Sequence, residues 1–335
     1  MTKVLITGGA GFIGSQLGLH LTKQEDKYKI FLVDNFSYGY KENLSDGTIQ
    51  LPCNDCDIRS KEFHKLVKDI KPNIVIHLAG IAPLPDCQTD PVNAFDNNVL
   101  GTINVIEACK DNNVSKIIFS STSAIYENSE EPIFIEDVPL KTEPDLVYAT
   151  TKRHCEHIIN NYVTLYGMDI TTLRFFNVWG LNQDYTRKQP PLIGYIIKCI
   201  LNDQTPTFYS DGYQRRDYIF STDLVNLIDI IIHTETTPGE IYNACSGNVY
   251  SVRDIYASFC KTFEFKRDPI FTDPGQYWDK YPEMFEGKYP LSKKRVHKEV
   301  NKISVGSNQK ACQTFNWTPQ VDLDTGVGLI HKHVS

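Results

Sequence analysis

The sequence predicts a doubly wound α/β fold: a parallel sheet with helices on both faces, joined to a smaller mixed α/β lobe. Three observations carry this reading. Short apolar, β-branched runs alternate with helical-period stretches through the first half of the chain. A glycine-rich turn, Thr7-Gly8-Gly9-Ala10-Gly11-Phe12-Ile13-Gly14, joins the first apolar run to the first helical stretch. Asp34 closes the second run, about twenty residues further on.

Strands are expected at Lys3–Ile6, Ile30–Val33, Ile49–Leu51, Ile74–His77, Lys116–Ser120 and Thr171–Arg174. Amphipathic segments lie between them, at Ser15–Lys23, Lys61–Lys68, Val92–Asn112 and Ala149–Tyr166. Strands separated by helices pair in parallel through right-handed crossovers, which cover both faces of the sheet. After Asn177 the pattern loosens, interrupted by Pro190-Pro191, Thr205-Pro206 and the aromatic-rich stretch Tyr277–Tyr289. Residues 1–177 therefore read as the sheet domain, with a return strand near 240–244. Residues 178–335 read mainly as a substrate lobe closing over the carboxyl ends of the strands, where open α/β sheets bind ligands.

The bulk numbers exclude several classes. The 335 residues carry a net charge of −7 with acids and bases interspersed, so nucleic-acid binding is not expected. No stretch approaches the roughly eighteen apolar residues of a membrane span. Lys3 leads straight into a core strand without a secretory leader. The nine scattered cysteines are an odd number and read as reduced thiols, which points to a cytoplasmic protein. Cys53 and Cys56 form a C-x-x-C with no partner pair at metal spacing, so no metal site is expected.

The glycine turn has a specific chemical use. Gly8 allows a tight reversal, Gly11 lets backbone approach a pyrophosphate, and Gly14 permits close helix–strand packing. The following helix start then attracts the phosphates with its N–H groups and dipole. Asp34 suits the adenosine ribose hydroxyls of NAD and repels a 2′-phosphate.

A second constellation supplies acid/base chemistry. Tyr148 and Lys152 lie four residues apart in one helical stretch and so share a face. The strand before them ends in Ser120-Ser121-Thr122-Ser123, which puts hydroxyls at the carboxyl edge of the sheet. A tyrosine with a pKa near ~10 is a poor base at neutral pH. A neighbouring ammonium and an oxidised nicotinamide, both positive, favour the phenolate. Tyr289 and Lys293 repeat the spacing, but Pro290 lies between them and no helical pattern follows.

With the glycine turn, the acidic strand end and Thr122, Tyr148 and Lys152 in place, the sequence resembles the extended short-chain dehydrogenase/reductase family, in particular nucleotide-sugar epimerases of the UDP-galactose 4-epimerase type. The resemblance implies a Rossmann domain binding NAD through Gly8, Gly11, Phe12, Ile13, Gly14, Asp34 and Asn35, with Asp57 and Ile58 by the adenine. It implies that Leu78, Ala79 and Gly80 pass beneath the nicotinamide side, with Asn98, Ser120, Tyr148, Lys152 and Phe175 completing the cofactor site. Thr122, Tyr148 and Lys152 would be catalytic. Asn177 and Arg216 would hold a sugar diphosphate, with Arg295 as a candidate second arginine and Phe208 and Tyr209 against the nucleobase.

The same resemblance implies a homodimer paired through the helices Val92–Asn112 and Ala149–Tyr166. Relatives with other chemistries carry an acid, a base or a thiol after the catalytic hydroxyl. Here Ser123 and Ala124 follow Thr122, and Glu127 lies beyond Tyr126. The expected activity is an NAD-dependent nucleotide-sugar 4-epimerase, with a 4-ketoreductase, dehydrogenase or 4,6-dehydratase as the alternatives.

Overall fold

The computed structural model describes residues 1–137, 143–187, 190–286 and 290–334. Its strands are β1 (Thr2–Thr7), β2 (Tyr28–Asp34), β3 (Cys53–Asp55), β4 (Ile74–His77), β5 (Lys116–Thr122), β6 (Ile170–Phe175), β7 (Asn177–Trp179), β8 (Thr207–Tyr209), β9 (Arg215–Phe220), β10 (Ile241–Ala244), β11 (Val249–Ser251) and β12 (Ile270–Thr272). Seven of them form one sheet in the order β10-β6-β5-β4-β1-β2-β3, parallel throughout. Strand order reverses between β1 and β4, which opens a crevice at their carboxyl ends.

Side chains alternate across the sheet, and both faces are buried. Val4, Ile6, Leu32 and Ile76 face one layer, packed with Leu17 and Leu21 of the helix Phe12–Thr22 and with Ile228 and Ile231 of the helix Ser221–His233. Leu5, Val33, Val75 and Ile117 face the other, against Phe63, Val67, Val105, Ile106, Cys155 and Ile159. The sequence accordingly shows continuous apolar runs in the central strands rather than an alternating pattern.

Two expected elements differ. The third strand is Cys53–Asp55, not Ile49–Leu51. It is an edge strand paired only to β2, with Leu32 opposite Cys53 and Asp34 opposite Asp55, so it carries polar residues that masked it. The single helix expected over Val92–Asn112 is three pieces. Asp90 caps a short helix, Pro91–Phe95, which passes through a π-helical turn at Asp96–Leu100 into Gly101–Asp111.

The remaining strands form a three-stranded sheet, β11-β9-β7, and a pair, β12-β8. They surround a separate core containing Trp179, Ile196, Phe208, Phe220 and Phe259. No helix among the described residues is long and apolar enough to cross a membrane.

Candidate active site

The glycine turn takes the shape its composition predicts. Gly8 sits at φ +69, and a Cβ there would meet the Ala79 nitrogen at 2.8 Å. A Cβ on Gly14 would lie 2.1 Å from the Gly8 carbonyl oxygen. The turn is closed by Gly11 N–H donating to Gly8 at 3.1 Å, and no side chain caps the helix that starts at Phe12. A side chain at Gly8 or Gly14 would strike backbone, so only glycine lets the turn lie this close to the helix start, whose N–H groups no side chain caps. This fits a pyrophosphate.

One end of the crevice is lined by Asp34, Asn35, Ile58, Arg59, Leu78, Ala79 and Gly80. Asp34 accepts Ala10 N–H at 2.9 Å and Phe36 N–H at 2.8 Å, and its burial raises its pKa against these bonds. Asp57, expected by the adenine, accepts from Asn35 at 3.1 Å and from Arg59 Nη2 at 2.6 Å. Hydrogen bonding by Arg59 holds its carboxyl down at about 2. Arg59 also pairs with Asp96 at 2.6 Å, so the guanidinium lining this end is engaged by two carboxylates.

Asn98 works from behind the crevice. Its amide bridges the Ile81 N–H (2.7 Å), the Ile81 carbonyl (2.9 Å) and Thr151 Oγ1 (3.1 Å). It thereby clamps the loop after β4 to the helix Val147–Tyr166, while its neighbour Asn97 lines the crevice. The π-helical turn is what turns Asn98 inward, and π-bulges recur at functional sites.

At the other end Gly11, Phe12, Ile13, Gly14, Ser120, Thr122, Tyr148, Lys152 and Phe175 line one cleft together with Ala82 and Val178. Tyr148 and Lys152 stand one turn apart near the start of the helix Val147–Tyr166. Lys152 Nζ donates to the Ser120 carbonyl at 2.9 Å and lies 4.9 Å from the Phe119 ring centre. Ser120 Oγ in turn donates to the His77 carbonyl at 3.0 Å. Burial pushes Tyr148 up to about 12, opposed by a hydrogen bond with Thr122, and pushes Lys152 down. Tyr289 of the second Tyr-x-x-x-Lys lies outside the described residues.

A second cavity of about 430 Å³ lies beside this cleft, lined by Phe208, Tyr209, Arg216, Tyr218, Trp278 and Tyr281 among others. Two features join them. Ala82 in the loop after β4 lines the cleft, and Leu84, which opens the helix Leu84–Thr89 directly after that loop, lines the cavity. Val178 on β7 lines the cleft, while Arg216 and Tyr218 on the paired β9 line the cavity. Asn177 donates to the Asp217 carbonyl at 2.7 Å and holds these strands together. Arg216 Nη2 donates to the Glu299 carbonyl at 2.7 Å.

Arg295 requires a correction. It is not among the residues lining the cavity; three carboxylates hold its guanidinium, with Glu127 at 2.7 Å, Asp145 at 2.8 Å and Glu299 at 3.5 Å. Sequence reasoning singled out no residue of the Trp278–Tyr281 wall or Arg59. The aromatic density of Tyr277–Tyr289 was a signal for the first; nothing local marked the second.

In α/β folds of this kind dinucleotide-dependent enzymes bind their cofactor where strand order reverses, and the glycine cradle lies there. The model of the NAD dependent epimerase/dehydratase family matches residues 4–245, and the chain belongs to that family, with NAD as its cofactor. It is 28% identical over 328 residues to a putative UDP-glucose 4-epimerase of Methanocaldococcus jannaschii, covering 97% of this chain and 95% of the relative. It is 30% identical over 269 residues to a dTDP-D-glucose 4,6-dehydratase of Dictyostelium discoideum, covering 75% of this chain and 58% of the relative. The UDP-glucose 4-epimerase of Thermus thermophilus, solved with NAD, superposes with a TM-score of 0.81 at 27% identity, over 99% of this chain and 98% of that one.

Proposed function

We propose that this protein is a nucleotide-sugar 4-epimerase, carried by one observation: Thr122, Tyr148 and Lys152 converge on one cleft, and the residues following Thr122 are Ser123 and Ala124. The chemistry that NAD supplies, when bound, is reversible hydride transfer at a sugar carbon, together with a positive ring that favours the tyrosinate. Gly8, Gly11 and Gly14 cradle its pyrophosphate, and Asp34 takes the ribose hydroxyls.

The chain's own residues do the rest. Tyr148 removes the proton of the C4 hydroxyl and returns it to the C4 oxygen after the sugar has turned over. Thr122, already hydrogen-bonded to Tyr148, fixes that oxygen. Lys152, anchored on the Ser120 carbonyl, holds the nicotinamide ribose and its charge favours the tyrosinate. Arg216, on the strand β9 that Asn177 fastens to β7, grips the diphosphate as a planar, charge-assisted donor. Phe208, Tyr209 and the Trp278–Tyr281 wall enclose the nucleobase. A diphosphate held at one point lets the 4-keto sugar present either face.

The relatives' names support a nucleotide sugar as substrate. Elimination of the C6 hydroxyl needs an acid and a base beside the sugar, and neither Ser123 nor Ala124 titrates near neutrality. Glu127 does not serve either, being 1% exposed and bonded into the protein. The test is Tyr148→Phe, which keeps the ring and removes only the oxygen. Thr122 Oγ1 still accepts Ala124 N–H at 3.1 Å, so the fold should survive with an unchanged melting temperature. Turnover of a panel of UDP-, dTDP- and GDP-sugars should fall by about two to four orders of magnitude. Near-normal epimerisation by this variant would exclude the mechanism.

A further inference from the structure

Glu127 is a buried carboxylate that the reaction above does not use. It follows the short turn Ser123–Tyr126 at the end of β5, with its side chain 1% exposed. Oε1 accepts the Asp145 N–H at 2.6 Å and the Leu146 N–H at 2.9 Å. Leu146 is the N-cap residue of the helix that carries Tyr148, and its own side chain offers that helix no cap. Glu127 therefore fixes the backbone that leads into this helix, with a negative group near the helix's positive end, while the first helical N–H, that of Val147, donates to Gln88 at 3.4 Å.

Its other oxygen meets a second helix. Oε2 lies in contact with Arg295 Nη2 at 2.7 Å, without an aligned hydrogen bond at either atom. Arg295 sits on the helix Lys293–Val300, bonded by Nε to Asp145 at 2.8 Å and facing Glu299 at 3.5 Å one turn on. Glu299 in turn accepts Arg216 through its carbonyl at 2.7 Å. Lys298 of the same helix donates to Asn128, next to Glu127 in the chain, at 3.0 Å. A continuous set of polar contacts thus runs from the entry of the helix bearing Tyr148, through Glu127 and Arg295, to the backbone that holds Arg216.

We propose that Glu127 is a positioning residue: it ties the entry of the helix bearing Tyr148, at Asp145 and Leu146, to the helix Lys293–Val300 behind Arg216, so that the acid/base and the anion-binding arginine keep a fixed relation. The functional part of this rests on the reading of Arg216 as a diphosphate ligand; the tie itself does not. An isolated buried carboxylate costs several kcal/mol unless partners compensate it, and each partner here comes from one of the two elements joined.

The tie has a pH signature. Burial raises Glu127 to about 7, outweighing its two backbone donors and Arg295, while a hydrogen bond shared with the Asp145 carboxyl favours the protonated form. The charged groups facing it are Arg295, Glu299 and Asp145, with Lys302, itself pushed down by burial, just beyond the helix. When the tie opens, Glu127 reaches water and returns to an ordinary carboxylate pKa. The closed form therefore binds the proton more tightly, and the tie is firmer at pH 6 than at pH 8, by about tenfold in the opening equilibrium.

The experiment is amide hydrogen exchange on the NAD-bound protein at pH 6 and pH 8, corrected for intrinsic rates, in wild type, Glu127→Gln and Glu127→Ala. In wild type the amides of 145–148 and 296–300 should both exchange about tenfold faster at pH 8. Glu127→Gln keeps an acceptor for both N–H groups and never ionises, so both segments should stay protected without pH dependence. Glu127→Ala, where it folds, should expose both segments at either pH. A wild-type pH effect retained in Glu127→Gln, or a response confined to one segment, would overturn the tie. Titration of UDP into the same samples separates the two ideas. Glu127→Ala should weaken UDP about tenfold and Glu127→Gln should not. Coupled exchange in a wild type that binds no UDP would support the tie and refute the role given to Arg216.

Discussion

Gly14→Ala isolates the cofactor cradle from the rest of the site. The added methyl would stand 2.1 Å from the Gly8 carbonyl oxygen and 2.9 Å from its carbon. Ordinary contact begins near 3.4 Å, so turn and helix must part by about 1.3 Å (3.4 − 2.1). Both sides of this contact are backbone and cannot swing aside as a side-chain tip does. N–H···O bonds to a phosphate span only about 2.7–3.2 Å, and a displacement of this size breaks them. Two charge-assisted bonds at about 1.5–3 kcal/mol each come to about 3–6 kcal/mol, or two to four decades of affinity. Calorimetric titration of NAD into cofactor-stripped protein should show the dissociation constant rising at least about 100-fold. Gly18→Ala in the same helix is the control, since its methyl would meet only the tips of Leu51 at 3.0 Å and Leu32 at 3.2 Å. That variant should bind NAD within about threefold of wild type. Comparable binding by both variants would refute the assignment of the turn to the pyrophosphate.

Other expectations follow from the same contacts. The protein should bind NAD more tightly than NADP, because Asp34 opposes a 2′-phosphate and Arg59 is held by Asp57 and Asp96; Asp57→Asn should raise NADP affinity severalfold, and tighter NADP binding by wild type would contradict this. Burial raises Asp217 to about 6 despite bonds from Ser246 and Gly247. Between roughly pH 4 and 6 the folded protein keeps a proton the unfolded chain has lost, so this group costs stability as pH rises. The urea-unfolding advantage of wild type over Asp217→Asn should shrink by about 2 kcal/mol across that window; a constant difference would contradict the assignment. Light scattering at micromolar concentration should give twice the chain mass of 38.2 kDa, with Val92, Leu100, Leu165 and Tyr166, exposed on the helices expected to pair, covered in the dimer; a monomeric mass would reject this pairing.

Sequence-level reasoning reached furthest where local chemistry and topology agree. The glycine turn was legible because its spacing is tied to a strand before it and a helix after it, and no other residue fits where Gly8 and Gly14 stand. Tyr148 and Lys152 were legible because helical spacing alone puts them on one face. The edge strand Cys53–Asp55 was not, since one neighbour and partial exposure leave no apolar alternation to read. The π-helical turn that aims Asn98 at Ile81 adds a residue per turn, which period counting in the range Val92–Asn112 cannot register. Arg295 shows the commonest limit. Its type suited an anion, but its partners are carboxylates at Glu127, Asp145 and Glu299, brought together only by the fold. The aromatic wall at Trp278 and Tyr281 was visible as composition and became a cavity only with Phe208 and Tyr218 opposite.

The central claim is that this chain inverts a sugar at C4 by internal oxidation and re-reduction, with no base acting at a neighbouring carbon. The most direct measurement is to incubate the NAD-bound protein with UDP-, dTDP- and GDP-sugars in deuterated water, and to analyse the products by mass spectrometry and NMR. The account predicts a C4 epimer from at least one nucleotide sugar, carrying no deuterium on carbon and accompanied by no 4-keto-6-deoxy product. Deuterium at C5, or accumulation of a 4-keto-6-deoxy sugar, would contradict it.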